Sequence, residues 1–214
     1  MQDLFIVDLF VNGGPIMIPI VLCSIIALAV FIERFRFFHQ LRKNPELFVR
    51  PMKAALASRD FTGALQICRK ESHPIAAILS AGIHHLDLSK NSLLDVMRQE
   101  ALKQMKKVEK NAQILGTIAG ITPLLGLTGT VTGMISSFKV ISTIGIGNPT
   151  ALAGGISQAL YTTAAGLLIG IPSLVAYNWC EARIARFADQ VEFYSLDLAN
   201  HCGEMEVVNE KVAA

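Results

Sequence analysis

The chain of 214 residues is 52% hydrophobic, with a mean hydropathy of +0.46 and a formal charge of +2. This balance excludes an ordinary soluble domain, and no basic stripe interleaved with aromatic residues marks a nucleic-acid binder. Cys23, Cys68, Cys180 and Cys202 show neither CxxC nor Cys/His ligand spacing, so they read as thiols in or near a reducing compartment, with no metal or cofactor implied.

Residues 1–15 form an outward-facing segment. Phe5, Ile6, Leu9 and Phe10 point to a short interfacial helix, and Asn12-Gly13-Gly14-Pro15 then breaks the chain, leaving Pro15 for the first turn of the next helix. Asp3 and Asp8 stand where a cleavable signal would be basic, so no signal peptide is expected. A first transmembrane helix covers 16–33, uncharged from Ile16 to Ile32 and closed by Glu33-Arg34-Phe35-Arg36. Glu33 and Arg34 either pair there or extend their charges to the interface.

Residues 34–110 are polar and rich in Lys and Arg, a cytoplasmic helical region punctuated by Pro45, Pro51, Gly63, Pro74 and Gly82. Ser58-Arg59-Asp60 ahead of Phe61 predicts a capped turn between helices. His84 and His85 are adjacent, so they point to different faces and read as exposed. Leu94, Met97, Ala101, Met105, Val108 and Ala112 recur every three or four residues, which predicts a helix running unbroken into the second span.

That second transmembrane helix covers 111–141 and carries no Lys, Arg, Asp, Glu or His before Lys139. Small residues recur four apart in it: Gly126 and Thr130, Gly129 and Gly133, Gly133 and Ser137. Such spacing lets helices approach closely in lipid and makes this helix an interior wall of an assembly. Gly126, Gly129, Gly133, Gly166 and Gly170 are accordingly read as packing positions, and Pro123 and Pro172 as bends. An outward-facing turn at 142–150 leads to the third transmembrane helix, 151–180, again without Lys, Arg, Asp, Glu or His and ended by Tyr177 and Trp179. In 181–214, Ile184, Phe187, Val191, Tyr194 and Leu198 form a seam like that of a coiled coil, expected to pack on the helix before span two. Gly203 is expected to end this cytoplasmic helix and leave a tail. Basic residues crowd 34–110 and 181–186 and are absent from 1–15 and 142–150, which places the N-terminus outward and the C-terminus in the cytoplasm. The fold class is therefore all-α: a polytopic membrane protein with three transmembrane helices and long helices extending into the cytoplasm.

The run Pro123-Leu124-Leu125-Gly126-Leu127-x-Gly129-Thr130-Val131-x-Gly133-Met134-Ile135-x-x-Phe138 resembles the second transmembrane helix of the ExbB/TolQ branch of the MotA/TolQ/ExbB proton-channel family. Gly155 through Leu167, with Ile171-Pro172-Ser173 and Ala176-Tyr177-Asn178, is similar to the third helix of the same group. A subunit of the MotA branch would be expected to carry four spans and a larger cytoplasmic domain. The resemblance implies a bacterial inner-membrane ring, a homo-oligomer of pentameric form, around the helices of a single-span ExbD- or TolR-like partner. Proton flow there would drive a TonB- or TolA-like protein. The resemblance also implies that Thr130 and Thr163 face the pore, and that Gln158 stands where some relatives carry a glutamate.

A charge in a bilayer centre costs at least ~2.5–3.5 kcal/mol, so a wall that meets an acid must offer it polar groups. Thr122, Thr130, Ser137, Ser157, Gln158, Thr162 and Thr163 are the candidates, with Thr130, Thr163, Gln158, Thr162 and Ser137 read as lining the proton pathway. Hydroxyls donate and accept but do not titrate near neutral pH, so the carrier is expected to be an aspartate of the partner. Against this stands the ordinary habit of membrane threonines, which bond the carbonyl four residues back. No Ser/His/Asp set, phosphate loop or paired acids occurs at usable spacing, so no enzyme is expected. Three readings result: an ExbB-like subunit energising a TonB-type protein for outer-membrane transport, a TolQ-like subunit serving envelope integrity, or a passive membrane scaffold.

Overall fold

The computed structural model describes the backbone over residues 13–41, 43–144 and 149–213, and side chains over 13–41, 43–143 and 153–202. The expected interfacial helix near the N-terminus and the centre of the outward turn lie outside the described residues. Those described form seven helices: α1 (Met17–Gln40), α2 (Glu46–Ala57), α3 (Phe61–Lys70), α4 (Pro74–Ile83), α5 (Lys90–Glu109), α6 (Ala112–Ile144) and α7 (Pro149–Ala213). They divide into two compact units, one made of the chain up to Phe35 with Asn111–Glu181, the other of Arg36–Lys110 with Ala182–Ala214.

The first unit holds the three apolar helices long enough to cross a membrane, within Met17–Gln40, Ala112–Thr143 and Ala153–Cys202. At ~1.5 Å per residue each spans a ~30 Å hydrocarbon core. Helix is the form these uncharged runs must take, because lipid offers no partner for an unbonded peptide group. Their core is small: Met17, Ile20 and Ala165, with Leu125, Tyr161 and Ile169 packed on it. Ile25, Leu124 and Leu168 instead point outward. Trp179 stacks on Phe35 with ring centroids 5.7 Å apart and meets Phe31 edge-on at 6.3 Å, an aromatic cluster of the kind found at a bilayer surface.

Contrary to the expectation of one rod, α5 ends at Glu109 and α6 begins at Ala112. Lys110 is extended (φ −47, ψ 134) and Asn111 is left-handed (φ 62), a conformation Asn tolerates better than most side chains. Its Nδ2 donates to Glu33 Oε2 at 2.8 Å, and Arg34 Nη2 donates to the other oxygen of that carboxylate at 2.6 Å. Glu33 and Arg34 therefore pair, with Arg34 only 3% exposed. The apolar period could not reveal the break, because Val108 and Ala112 on its two sides are both buried.

The second unit packs α2, α3, α4 and α5 with the later part of α7. Phe48, Met52, Leu56, Ile75, Leu79, Met97, Ile184, Phe187, Tyr194 and Leu198 are buried, so four of the five predicted seam residues are core. A Cβ at Gly82 would meet Met97 Sδ at 2.9 Å and Leu198 Cδ2 at 3.0 Å, which places α7 on α4 and α5 as expected. Lys90 Nζ donates to Asn200 Oδ1 at 2.6 Å along the same contact. The predicted turn at Ser58–Asp60 is present: Arg59 is left-handed (φ 61) and Asp60 caps α3 by accepting from the Gly63 N–H at 2.8 Å. Pro51 sits inside α2 without ending it; it lies on the exposed side, where water can serve the carbonyl that its ring leaves unbonded. His84 and His85 are exposed. Helix α7 continues past Gly203 to Ala213, because a single glycine costs a helix only ~1 kcal/mol against alanine.

Candidate functional site

Small residues bring α6 and α7 together over most of their shared length. A Cβ at Gly126 would lie 3.0 Å from the Thr162 carbonyl oxygen and 3.1 Å from Thr163 Cα. One at Gly133 would lie 2.7 Å from the Gly155 carbonyl oxygen and 2.9 Å from Ala159 Cβ. Gly129 faces the Thr162 side chain, Gly155 faces Ser137 Oγ, and a Cβ at Gly166 would lie 3.2 Å from Gly126 Cα. At the far end a Cβ at Gly170 would lie 2.9 Å from Cγ of the Pro123 ring. Gly126, Gly133 and Gly166 thus face mainly backbone across the two helices, and Gly129 and Gly170 face side chains. Pro123 and Pro172 lie inside continuous helices.

The hydroxyls divide by depth. Thr122, Ser137 and Thr162 are buried inside the seam. Thr122 Oγ1 donates to the Ile118 carbonyl at 2.8 Å, Ser137 Oγ to Gly133 at 3.2 Å, and Thr162 Oγ1 to Ala159 at 2.9 Å. Thr130 and Thr163 are half-buried. Thr130 Oγ1 donates to the Leu127 carbonyl at 2.6 Å, while Thr163 Oγ1 crosses to the other helix and donates to the Gly126 carbonyl at 3.1 Å. Gln158 is half-buried and its amide reaches Gly14, whose positive φ of 69 places the turn before α1 against span three. Thr128, Thr132 and Ser157 are exposed.

The arrangement presents hydroxyl oxygens and carbonyls along an apolar wall without any ionised side chain. Two parts of it were missed in the sequence. Gly155 and Ala159 repeat the four-residue small spacing on α7, a signal present but not read; the Gly14–Gln158 approach joins positions far apart in the chain and leaves no local pattern. Among the described residues no group of three His, Cys, Asp or Glu side chains comes together to hold a metal.

Three helices long and apolar enough to span, two of them packed through glycines and bearing hydroxyls, define a polytopic membrane protein. The sequence model of the MotA/TolQ/ExbB proton channel family matches residues 70–193, more than half of the chain, and the protein belongs to that family. It is 34% identical to the ExbB-like 1 biopolymer transport protein of Synechocystis sp., over 81% of this chain and 69% of the relative. It is 30% identical to the biopolymer transport protein ExbB of Xanthomonas campestris over 64% of this chain and 54% of that protein. It is 26% identical to the Tol-Pal system protein TolQ of Haemophilus influenzae, over 85% and 86% of the two chains.

Proposed function

We propose that the protein is an ExbB-like subunit of an inner-membrane motor, in which proton flow energises a TonB-type protein for outer-membrane transport. Family membership supports the channel, and one observation carries the mechanism: spans two and three bring hydroxyls together but hold no carboxylate between Ala112 and Phe138 or between Ala151 and Cys180. The titrating acid then belongs to a second protein, a single-span ExbD- or TolR-like helix with one aspartate, held inside a ring of copies of this chain with the N-terminus outward. Thr130 and Thr163, half-buried in the single chain, are the hydroxyls we assign to meet it; Thr162 and Ser137 support the wall from deeper in the seam, and Gln158, half-buried like the two threonines, extends it. Each charge crossing gains about 2.3 kcal/mol per 100 mV, below the ~5–15 kcal/mol stability of a folded domain, so the motor either uses several protons per stroke or acts on weaker contacts.

Replacing Thr130 and Thr163 together by valine is expected to abolish proton-driven transport while the ring still assembles. Transport at the wild-type rate in an assembled Thr130→Val/Thr163→Val ring would remove the assignment. Similarity to TolQ as well as ExbB supports a second reading, a Tol-type motor for envelope integrity. A deletion strain distinguishes them: loss of TonB-dependent uptake favours the first, and detergent sensitivity with normal uptake favours the second.

A further inference from the structure

In the second unit His73 is buried at the N-cap of α4, where its ring serves two backbone groups at once. Nδ1 accepts from the Ile75 N–H at 3.3 Å. The other ring nitrogen therefore carries the hydrogen and bonds the Leu41 backbone, at the start of the connection between α1 and α2. Phe48 of α2 and Phe187 of α7 enclose the ring, with centroids 6.2 and 6.5 Å from its own. The local sequence gives the cap no substitute. Pro74 follows His73 and brings no N–H, and the Ala76 N–H is already taken by the His73 carbonyl at 2.9 Å. The Ile75 N–H depends on the imidazole.

A proton on Nδ1 turns that acceptor into a donor and sets N–H against N–H. It also puts a charge in a buried site, which water or a new partner must offset. Two charges act on the ring: Glu71, from its own segment, favours the imidazolium, and Lys43, from the connection after α1, disfavours it. Beside Phe48, α2 carries Glu46 and Arg50, which pair with each other at 3.5 Å. Beside Phe187, α7 carries Arg183, Arg186 and Asp189, and none of these five bonds the ring. We propose that His73 is an acid-operated latch: when its ring takes a proton, the first turn of α4 and the chain at Leu41 part from α2 and α7 while α5 stays folded. Burial holds the imidazole below its ordinary range, so the latch is shut at neutral pH. On the topology proposed above, cytoplasmic acidification is the signal; the latch itself rests on the second unit alone and stands apart from the proton path.

Hydrogen exchange of the full-length chain in mild detergent, read by mass spectrometry and corrected for the intrinsic effect of pH on exchange, tests it. As pH falls from about 6.5 towards the lower folded value, peptides covering Ile75 and Ala76 are expected to lose protection by up to about tenfold per pH unit. Peptides around the buried Met97 of α5 should stay better protected throughout, because the opening is local. His73→Asn keeps an acceptor for the Ile75 N–H and does not titrate, so its protection at α4 should not follow pH in this range. Lys43→Gln changes an exposed residue and removes the cation that opposes the imidazolium, so the loss should begin at higher pH. Constant protection of α4 in the wild-type chain, or the wild-type loss in folded His73→Asn, overturns the latch. So does equal protection of α4 and α5 at every pH, which would mean that acid unfolds the unit as a whole. An unmoved onset in Lys43→Gln overturns it without any change at His73 itself.

Discussion

Substituting Gly166 by alanine tests the central packing claim against its own control. The added Cβ would meet the Thr122 carbonyl oxygen at 2.5 Å and Gly126 Cα at 3.2 Å, both backbone atoms that no rotamer change can clear. The helices must part, and overpacking of this kind costs about 1–3 kcal/mol. Gly120→Ala and Gly154→Ala add the same methyl where nothing lies within 4 Å. All three variants share the gain of ~0.5–1 kcal/mol that alanine brings to a helix interior, so their difference isolates the seam. The single tryptophan supplies the assay, since Trp179 stacks on Phe35 within the same unit. Its emission can follow unfolding of the full-length chain in mild detergent as a denaturing detergent is added. Gly166→Ala should unfold earlier than both controls by the equivalent of about 1–3 kcal/mol. Coincident transitions for all three would show that α6 and α7 do not depend on this approach.

Three further outcomes are expected. Asn111→Ala should destabilise the spans by about 1–2 kcal/mol for its left-handed backbone and about 1 kcal/mol more for the lost bond to Glu33, whereas Asn111→Gly should lose only the second part in the same fluorescence assay. Burial, with Lys43 beside it, holds His73 below the ordinary imidazole range, against the opposing pull of the Leu41 backbone and Glu71. The unfolded chain then takes up the proton first. Stability of the second unit is complete above about pH 6.5 and is lost as pH falls from there through the lower folded value, at no more than ~1.4 kcal/mol per pH unit. His73→Ser, which keeps an acceptor for the Ile75 N–H, should flatten that profile in thermal unfolding. Burial also pushes the Cys68 thiol up to about 11, so maleimide should label it in the native chain far more slowly than in denaturant. Native labelling at the unfolded rate would contradict the packing of α3.

The spans were legible because lipid imposes a coarse rule: a long run without charge can be satisfied there only as helix. Gly126, Gly129 and Gly133 were legible for a related reason, as small residues repeated on one face. Asn111 was not, because a single left-handed residue leaves the apolar period on either side undisturbed. At the seam, sequence identified which hydroxyls exist but not their bonding. Thr162 and Ser137 lie closed between helices, while Thr130 and Thr163 keep an open side.

That bonding has a consequence for which form of an acid is welcome. Thr130 and Thr163 each direct their one hydrogen at a backbone carbonyl, so only lone pairs remain to face a visitor. Lone pairs accept from a neutral COOH and repel a carboxylate. On the proposed reading, an aspartate that meets these hydroxyls is accepted more readily in its neutral form for as long as the bonds to the Leu127 and Gly126 carbonyls hold.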